Sequence, residues 1–344
     1  MRIPEGLRWK ATGRTVGEGG QGTVLEVVDR SEPEGTKYAL KTLKRGGSSQ
    51  AYIRFEREVR AIQSLNHPGI VKTVDWSLEP AFPHIVMELV EGATSLKKLL
   101  ETNRSPFHGR GLSAARFFGQ LVDVIAGCES VNVVHRDLSP ANVLVLPNGQ
   151  ARVIDFGLCQ IEGAAPVTLI DEGVGTQNYM APECEAGSDG AITSSADLYS
   201  AGKLLWSAVT GSFAFAREAP AFRAKSMKAL FPQHPLLWHL QWIFFRTIRH
   251  TPTNRWNNAA DARAGLSRID HLLMTGYPPL DLLSSRFCPV CGFGELKAFP
   301  GSHMVFGNPG LRGIDALQCT LCGFCVPVNT TRLRTSIQEL EHAE

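Results

Sequence analysis

Alternating apolar and polar residues mark the first part of the chain as β-rich. The alternation predicts strands at residues 23–28 and 37–43, and the glycine, proline and acidic residues at 31–35 predict a turn between them. A helix is predicted from near Gln50 to Leu65, because its apolar residues recur at spacings of three and four. The asparagine, proline and glycine within residues 66–69 would end that helix.

Beyond Gly92 the spacing of apolar residues becomes mostly helical. Ser113 is expected to cap a helix that runs through about Glu129, because a serine hydroxyl accepts hydrogen bonds from the N–H groups of a first turn. Further helices are expected around residues 195–210 and 238–249. A β-rich first part is therefore followed by a mostly helical second part.

Two short apolar runs interrupt the helical part, at residues 143–146 and 151–154. Asn148-Gly149 lies between them and is a strong signal for a tight turn, so a β-hairpin is predicted. Residues 158–180 have weak periodicity and many small or polar side chains, which predicts a long surface loop.

Composition is that of an ordinary soluble globular protein. The 344 residues are enough for two or three domains, with 43% hydrophobic and 20% charged residues. The formal net charge of +2 gives no argument for a nucleic-acid or membrane partner. No signal peptide or membrane span is expected, because the N-terminus lacks an apolar run and polar residues interrupt the apolar stretch at 236–248.

The candidate chemistry lies in residues 135–142 and in Asp155-Phe156-Gly157, which follow closely. Asp137 is a candidate acceptor for a hydroxyl proton. Asn142 and Asp155 are oxygen ligands of the kind that Mg²⁺ prefers. A base and two metal ligands in this order are what phosphoryl transfer from a nucleotide requires.

A glycine-rich segment lies near the N-terminus, with Gly17, Gly19 and Gly22 at the spacing of a phosphate-binding loop. Because a strand rather than a helix follows, the segment is expected to be a strand–loop–strand flap. Lys41 and Glu58 are both expected to face the apolar interior, where each charge needs a partner. A Lys41–Glu58 pair would satisfy both and direct the ammonium to the α- and β-phosphates.

Together these motifs resemble the eukaryotic-type protein kinases over roughly residues 12–270. They occur in the family's order: the glycine segment, Lys41, Glu58, residues 135–142, Asp155-Phe156-Gly157 and Ala181-Pro182-Glu183. The resemblance implies an α+β, two-lobed kinase fold over residues 1–275. Its β-rich N-lobe would cover about 1–90, and its helical C-lobe about 91–275.

The resemblance also implies roles for the residues of a nucleotide site. Lys41 would bind the α- and β-phosphates of ATP, and Glu58 would orient Lys41. Asp137 would be the base, and Asn142 and Asp155 would bind Mg²⁺.

Residues 87–91 resemble the family's hinge between the two lobes. Met87 would be the gatekeeper, and main-chain groups of Glu88 and Val90 would bond adenine. The adenine slot would be lined by four apolar residues, for which ordinary core packing is the alternative: Val24, Ala39, Leu144 and Ile154.

Three further positions would be structural in the family. Asp197 would tie down the catalytic loop, Glu183 and Arg255 would form an ion pair, and His135 would be a packed histidine rather than a base.

Ser139 departs from the family pattern. In serine/threonine kinases a lysine that contacts the γ-phosphate usually stands there, and a serine cannot supply that charge. The loss of one electrostatic clamp typically costs on the order of 10²-fold in rate. Residues 175–183 nevertheless resemble the serine/threonine class, so a serine or threonine of a protein substrate is the expected acceptor.

The activation segment gives a separate hypothesis. Arg136 precedes Asp137, as in kinases whose loop is ordered by a phosphate, and the usual phosphosite position holds Glu172. Glu172 would pair with Arg136 and mimic the phosphate; a solvated acidic face with Asp171 is the alternative. Thr168 is an alternative autophosphorylation site. Equal activity of Glu172→Gln and the wild type would eliminate the hypothesis.

Five of the eight cysteines crowd the C-terminal end. Cys288 and Cys291 form one Cys-x-x-Cys-Gly knuckle, and Cys319 and Cys322 form a second. Four thiolates suit tetrahedral Zn²⁺, and the pattern resembles a zinc ribbon. A reducing, cytoplasmic compartment with one zinc site is predicted rather than a disulfide scaffold.

The ligand set and the role of this unit stay open. Cys325 also has Cys-x-x-Cys spacing with Cys322, although the glycine after each knuckle favours Cys319 with Cys322. His303 is a further candidate ligand, for which a solvated loop histidine is the commoner alternative. The unit would need its metal to fold. Docking, substrate recruitment and dimerisation are candidate roles, and nucleic acid is not favoured because few basic residues lie nearby.

The predicted order of domains is a kinase domain at 1–275, a linker at 276–286, a zinc ribbon at 287–330 and a tail at 331–344. Two other functions are alternatives to an active protein kinase. A non-catalytic scaffold is disfavoured because the nucleotide-site residues are all present. A small-molecule phosphotransferase is disfavoured by Glu183, Asp197 and Arg255, which build a peptide platform in the family. The sequence does not identify the substrate or the oligomeric state.

Overall fold

The computed structural model describes residues 3–18, 22–43, 49–161, 177–185, 192–216 and 225–275, and three strands at 296–298, 314–319 and 325–329. The predicted linker and tail lie outside these residues, as do Gly19, Thr168, Asp171, Glu172, Cys288, Cys291, His303 and Cys322. Within the described residues, no helix is long and apolar enough to cross a lipid bilayer.

The N-terminal lobe is a five-stranded antiparallel sheet with one helix. Its strand order is β1-β2-β3-β5-β4. The elements are β1 (Trp9–Glu18), β2 (Gly22–Asp29), β3 (Lys37–Leu43), α1 (Ser49–Ser64), β4 (Thr73–Ser77) and β5 (His84–Glu88). The strands predicted at 23–28 and 37–43 and the helix predicted at 50–65 are confirmed.

Packing of α1 on the sheet decides which way Lys41 faces. Phe55 and Val59 of α1 are buried against Ile85 of β5. Ile85 is the cross-strand partner of Lys41 in the β3–β5 register, and paired residues share one face of a sheet. Lys41 therefore points at α1. A separate cluster around Trp9 and Leu40 forms the other apolar core of this lobe.

The C-terminal lobe is mainly helical. Its helices are α2 (Leu96–Glu101), α3 (Gly111–Glu129), α4 (Ser194–Thr210), α5 (Met227–Leu230), α6 (Pro235–Trp238), α7 (Leu240–Thr247) and α8 (Ala259–Thr275). Helix α4 is the centre of the lobe, because nearly all of its residues are buried and it contacts both α3 and α7. The helix predicted at 195–210 is confirmed.

Short strands make up the rest of this lobe, and Val153 in one of them is hydrogen-bonded to Gly69 and Val71, which precede β4. They are β6 (Thr94–Ser95), β7 (Val133–Val134), β8 (Val143–Val145), β9 (Ala151–Val153) and β10 (Gln160–Ile161). Strands β8 and β9 pair antiparallel, and Gly149 in their turn has a φ of 82°. The predicted Asn148-Gly149 hairpin is therefore confirmed.

Two helix starts differ from the sequence prediction. Ser113 does not cap α3, because the helix begins at Gly111 and the N–H of Ala114 already donates to the carbonyl of Arg110. The helix predicted around 238–249 is α7, which begins at Leu240, because His239 separates it from the short helix α6 that ends at Trp238.

The predicted surface loop at 158–180 is wrong at both of its ends. Leu158 and Cys159 are buried, and Gln160–Ile161 pairs antiparallel with Val133–Val134. Tyr179 is also buried. A ladder of two residues leaves no periodic signal in a sequence, which explains the error. The middle of this segment lies outside the described residues.

Three strands near the C-terminus form a separate antiparallel sheet of order β11-β12-β13. They are β11 (Leu296–Ala298), β12 (Ile314–Cys319) and β13 (Cys325–Asn329). In the register, Leu296 pairs with Cys319 and Gln318 pairs with Cys325.

Candidate active site

One carboxylate on α4 fixes the loop of residues 135–142. Asp197, in the first turn of α4, accepts hydrogen bonds from the main-chain N–H groups of His135 and Arg136, each at 2.8 Å. Arg136 has a φ of 65°, a left-handed backbone conformation that residues with a side chain rarely adopt. The two hydrogen bonds to Asp197 hold Arg136 in this conformation. Burial raises the pKa of Asp197 to about 6, although both N–H groups and the charge of Arg136 oppose the rise.

The carboxylate of Asp137 has a fixed orientation. Nδ2 of Asn142 donates to Oδ2 of Asp137 at 2.7 Å and to its main-chain carbonyl at 2.9 Å. Because the amide nitrogen of Asn142 is used in this way, its Oδ1 is the atom left to face a cation. Both side chains are more than nine-tenths buried. The sequence identified these two residues but gave no sign of the bond between them.

Lys41 bridges two carboxylates between the lobes. Its Nζ lies 2.7 and 2.8 Å from the two carboxylate oxygens of Glu58 on α1. The same Nζ lies 2.9 Å from Oδ1 of Asp155. The Lys41–Glu58 contact is the pair that the burial of both charges predicts, whereas the contact with Asp155 has no signal in the sequence.

The protonation states of this triad follow from burial and from the mutual charges. Burial alone would lower the pKa of Lys41, but the carboxylates of Asp155 and Glu58 raise it above its ordinary value, so the ammonium persists. Burial opposes ionisation of Asp155, yet Lys41 lowers its pKa below the usual range. Burial raises the pKa of Glu58, and Lys41 acts in the opposite direction.

Asp155 is held in a strained backbone conformation next to a packed histidine. Its φ is 66°, and its Oδ1 accepts from the N–H of Gly157 at 3.1 Å. The ring of Phe156 lies 4.4 Å from the ring of His135. Burial lowers the pKa of His135 to about 4, so the ring is neutral near pH 7. A neutral ring packed on Phe156 is the arrangement expected of a structural histidine.

The glycine segment runs from the end of β1 to the start of β2. Gly17 is in β1, and a Cβ there would meet no atom within 4 Å. A Cβ on Gly22 would lie 2.1 Å from the carbonyl oxygen of Thr42 in β3, so only glycine allows this close approach of strands. The sequence explains Gly22 by phosphate binding, and the structure adds this packing reason.

The predicted hinge begins at the end of β5. Met87 packs partly buried against the Phe55–Ile85 cluster. The N–H of Glu88 donates to the carbonyl of Lys72 at 2.9 Å, so adenine would have only the carbonyl of Glu88. The carbonyl of Val90 accepts from Ala93 at 3.3 Å, which leaves its N–H as the donor toward a base.

Most of the residues predicted to line the adenine slot are partly open. Val24, Leu144 and Ile154 are half-buried, whereas Ala39 is 7% exposed. Val24 pairs directly with Lys41 in the β2–β3 register, so these two residues face the same side of the sheet. The partial exposure of Val24, Leu144 and Ile154 distinguishes them from residues of a closed core.

Ser139 lies in the interior of the loop. Ser139 is only 2% exposed. Its main-chain carbonyl accepts a hydrogen bond from the N–H of Asn142 at 3.0 Å. Replacement of the family's lysine by serine therefore removes a charge at a position that is enclosed by the loop.

The oxygen donors of this site fit a hard divalent cation. Asp155 supplies a carboxylate that remains ionised, and Asn142 supplies an amide oxygen; both are ligands that Mg²⁺ accepts. For the predicted zinc site, Cys319 is the last residue of β12, and its three partners lie outside the described residues. Among the residues that the structure describes, no group of three or more histidine, cysteine or acidic side chains is placed to hold a metal.

An ion pair supports the segment that precedes α4. The guanidinium of Arg255 contacts the two carboxylate oxygens of Glu183 at 2.5 and 2.8 Å, and the Arg255 side chain is fully buried. Nearby, the hydroxyls of Tyr179 and Ser207 lie 2.7 Å apart. The segment around Glu183 is thereby fastened to the central helix and to the chain before α8.

The two-lobed fold and the arrangement of these side chains define the protein kinase class. Residues 11–255 match the protein kinase domain model, and the chain belongs to this family.

Several named relatives are similar to this chain. A probable serine/threonine-protein kinase of Streptomyces coelicolor is 31% identical over 273 residues, which are 74% of this chain and 39% of that protein. The serine/threonine-protein kinase PknA of Mycobacterium tuberculosis is 35% identical over 210 residues, or 59% of this chain and 47% of PknA. PrkC of Bacillus subtilis is 29% identical over 260 residues, 74% of this chain and 39% of PrkC. The chain therefore spans less than half the length of these curated relatives.

Proposed function

We propose that this chain is an ATP- and Mg²⁺-dependent protein kinase that transfers the γ-phosphate to a serine or threonine hydroxyl of a protein. One arrangement carries the proposal. Asn142 bonds Asp137, and Lys41 pairs with both Glu58 and Asp155. A main-chain hydrogen bond from Ile154 to Asn142 connects the two groups. These residues supply a base, oxygen ligands and a phosphate-binding cation. The relatives are named serine/threonine-protein kinases, which favours the same acceptor class.

In this proposal the adenine of ATP lies against the hinge. The carbonyl of Glu88 and the N–H of Val90 bond the base, and the half-buried apolar residues around Val24 and Leu144 enclose it. Lys41, held by Glu58, reaches the α- and β-phosphates.

Transfer of the phosphoryl group changes two bonds at phosphorus. The acceptor oxygen bonds to the γ-phosphorus while the bond to the β–γ bridging oxygen breaks, and ADP leaves. Asp137 takes the hydroxyl proton, and Asn142 holds its carboxylate in one orientation before the acceptor arrives. Bound Mg²⁺, held by Asn142 and Asp155, would neutralise charge on the phosphates.

A scaffold without catalysis is the weaker alternative. Asp197 holds Arg136 at a φ of 65°, and Lys41 is held within bonding distance of two carboxylates. Strained backbone and buried charge are costly, and both are expected where chemistry takes place. A small-molecule phosphotransferase is disfavoured by the buried Glu183–Arg255 pair, which supports a platform for a polypeptide acceptor.

For the activation segment, the proposal is that Glu172 pairs with Arg136 in place of a phosphate. Arg136 is only 6% exposed, and a buried guanidinium favours a fixed anionic partner. Phosphorylation of Thr168 is the alternative source of that anion.

For the C-terminal unit, the proposal is a zinc ribbon with Cys288, Cys291, Cys319 and Cys322 as ligands in a reducing, cytoplasmic environment. The antiparallel register supports it, because β11 begins opposite Cys319, where β12 ends. The connection from Cys319 to Cys325 is short and contains Cys322, which is a suitable place for a knuckle. Docking or regulation of the kinase domain is its proposed role.

The proposed activity is tested with purified protein, γ-labelled ATP and Mg²⁺. Label should appear on the protein or on a generic protein acceptor, and it should be lost in both Asp137→Ala and Asp155→Ala. Phosphoserine or phosphothreonine in the product would support the acceptor class. Absence of label with Mg²⁺ or any other divalent cation would favour the scaffold.

A further inference from the structure

Helix α4 contains a lysine that the proposed chemistry does not use. Lys203 is 0% exposed, in the middle of the helix. Its Nζ donates to the main-chain carbonyl of Phe215 at 2.9 Å and to that of Ala216 at 3.4 Å. The same Nζ lies 3.9 Å from the centre of the Phe215 ring and 5.5 Å from that of Tyr199. Lys203 thus fastens residues 215–216 to the central helix of the lobe.

An ammonium in this position is costly. Burial lowers the pKa of Lys203 to about 7, and the charge of Lys225 acts in the same direction. In the part of the chain that the structure describes, no carboxylate lies within ion-pair distance of Lys203. The two carbonyls and the Phe215 ring are therefore what offsets the lost hydration.

The segment that Lys203 holds is bonded in turn to the chain before Glu183. The N–H of Ala214 donates to the hydroxyl of Tyr179 at 3.0 Å. Nδ2 of Asn178 donates to the carbonyl of Ala214 at 3.2 Å. A continuous set of hydrogen bonds therefore leads from Lys203, through residues 214–216, to Asn178 and Tyr179.

We propose that Lys203 is a positioning residue for the polypeptide acceptor. It holds residues 214–216, and these hold Asn178 and help to hold Tyr179, which α4 also contacts through Ser200 and Ser207, in the segment that would receive the acceptor. This inference rests on the proposed kinase function. The contacts of Lys203 are made with α4 and residues 215–216, so ATP binding is expected to be independent of it.

Steady-state kinetics separate an acceptor role from a general loss of structure. The probe is a degenerate peptide mixture with serine or threonine fixed at its centre. Lys203→Met keeps the length of the side chain but removes its donors, and it should raise the KM for peptide about tenfold, as expected for one charge-assisted hydrogen bond. The kcat and the KM for ATP should stay within about twofold of the wild type. An unchanged KM for peptide in folded Lys203→Met would overturn the inference.

A second variant tests the other end of the same set of bonds without changing the core. Asn178→Ala should raise the KM for peptide in the same way, and the double variant should be little worse than either single one, because both break one connection. The matched control is Lys225→Met, which removes the other ammonium beside the Phe215 ring and should leave the KM unchanged. If Lys203→Met does not fold, an unchanged KM for peptide in Asn178→Ala overturns the inference.

Hydrogen–deuterium exchange gives a readout that does not depend on activity. The amide of Ala214 should exchange about tenfold faster in Lys203→Met than in the wild type, while amides of β3 should be unaffected. Faster exchange with an unchanged KM for peptide would overturn the acceptor role alone. A wild-type protein that transfers no phosphate would overturn the proposed function, and the acceptor role with it.

Discussion

Lys41 and Asp155 form an ion pair of 2.9 Å, although the two residues are assigned to different parts of the nucleotide site. In the proposed function Lys41 binds the phosphates and Asp155 binds Mg²⁺. Because Lys41 also bonds Glu58, one ammonium is shared between the carboxylate that orients it and the carboxylate that would bind the metal. Bound Mg²⁺ would add a second cation to the Asp155 carboxylate and weaken its hold on Lys41, so Glu58 would become the main partner of Lys41.

Glu58→Gln should weaken the use of ATP strongly, because it removes the charge that holds Lys41 when Asp155 is engaged by metal. The expected loss in kcat/KM for ATP is on the order of 10²-fold, typical of one electrostatic contact in a catalytic site. The measurement is steady-state kinetics at varied ATP. Glu56→Gln is the matched control, because Glu56 is on the same helix and pairs with the exposed Arg60. Equal losses in both variants would contradict the role of Glu58.

Ser139→Lys should raise the rate of transfer if the missing charge limits it. Lysine at this position would restore a contact with the γ-phosphate, and a gain of about tenfold or more in kcat is expected. Single-turnover transfer from labelled ATP is the measurement, with Ser139→Ala as the control that adds no charge. Because Ser139 is 2% exposed, thermal unfolding must show that Ser139→Lys is folded. A folded variant with the rate of the wild type would show that the charge is not needed here.

Removal of one partner of the Glu183–Arg255 pair should lower the free energy of unfolding more than replacement of both partners. Arg255→Met leaves the buried Glu183 carboxylate without its guanidinium, and the expected cost is about 3–5 kcal/mol. Arg255→Met combined with Glu183→Gln should recover part of that loss. Urea unfolding of the two variants and the wild type measures these differences. A double variant that is less stable than Arg255→Met would contradict this account.

Lys203 should make the stability of the protein depend on pH. Its pKa is about 7 in the folded chain and 10.5 in the reference state, so between these values the unfolded chain binds more protons than the folded one. The free energy of unfolding should therefore rise with pH across this window, by at most about 1.4 kcal/mol per pH unit. Two groups lie beside Lys203: Lys225, whose charge acts on it, and Tyr199, whose ring centre lies 5.5 Å from its Nζ.

Urea unfolding at pH 7, 8 and 9 tests this dependence. Lys203→Met lacks the titrating group, so the difference in free energy between wild type and variant should change steadily with pH in favour of the wild type. Parallel curves for the two proteins would show that Lys203 does not titrate in this range.

The amount of zinc bound by cysteine variants distinguishes the zinc ligands from the other cysteines. Cys288→Ser should reduce bound zinc from one equivalent, and Cys325→Ser should not, because Cys325 is expected to lie outside the ligand set. Elemental analysis after gel filtration is the measurement. Retention of a full equivalent by Cys288→Ser would refute the ligand set, and loss in Cys325→Ser would assign Cys325 to it.

Predictions of elements and contacts from the sequence were most accurate where a local pattern coincides with burial. Strand β3 was predicted at its observed limits, because alternation and flanking turn residues agree there. The Lys41–Glu58 contact followed from the need of two buried charges for partners. The Lys41–Asp155 pair and the bonds from Lys203 to residues 215–216 had no such signal, because they depend on how distant segments meet. The start of α3 was missed because Ser113 is a capping residue placed inside a first turn.

Asp137 is expected to serve the transfer step and not the binding of nucleotide. Asp137→Asn keeps the size of the side chain and removes the base. Paired measurements on this variant, Mg²⁺–ATP binding by calorimetry and transfer of labelled phosphate to a protein acceptor, test the claim directly. Binding within about threefold of the wild type, with transfer lower by 10² or more, is the expected result. Transfer at the wild-type rate in Asp137→Asn would contradict the account.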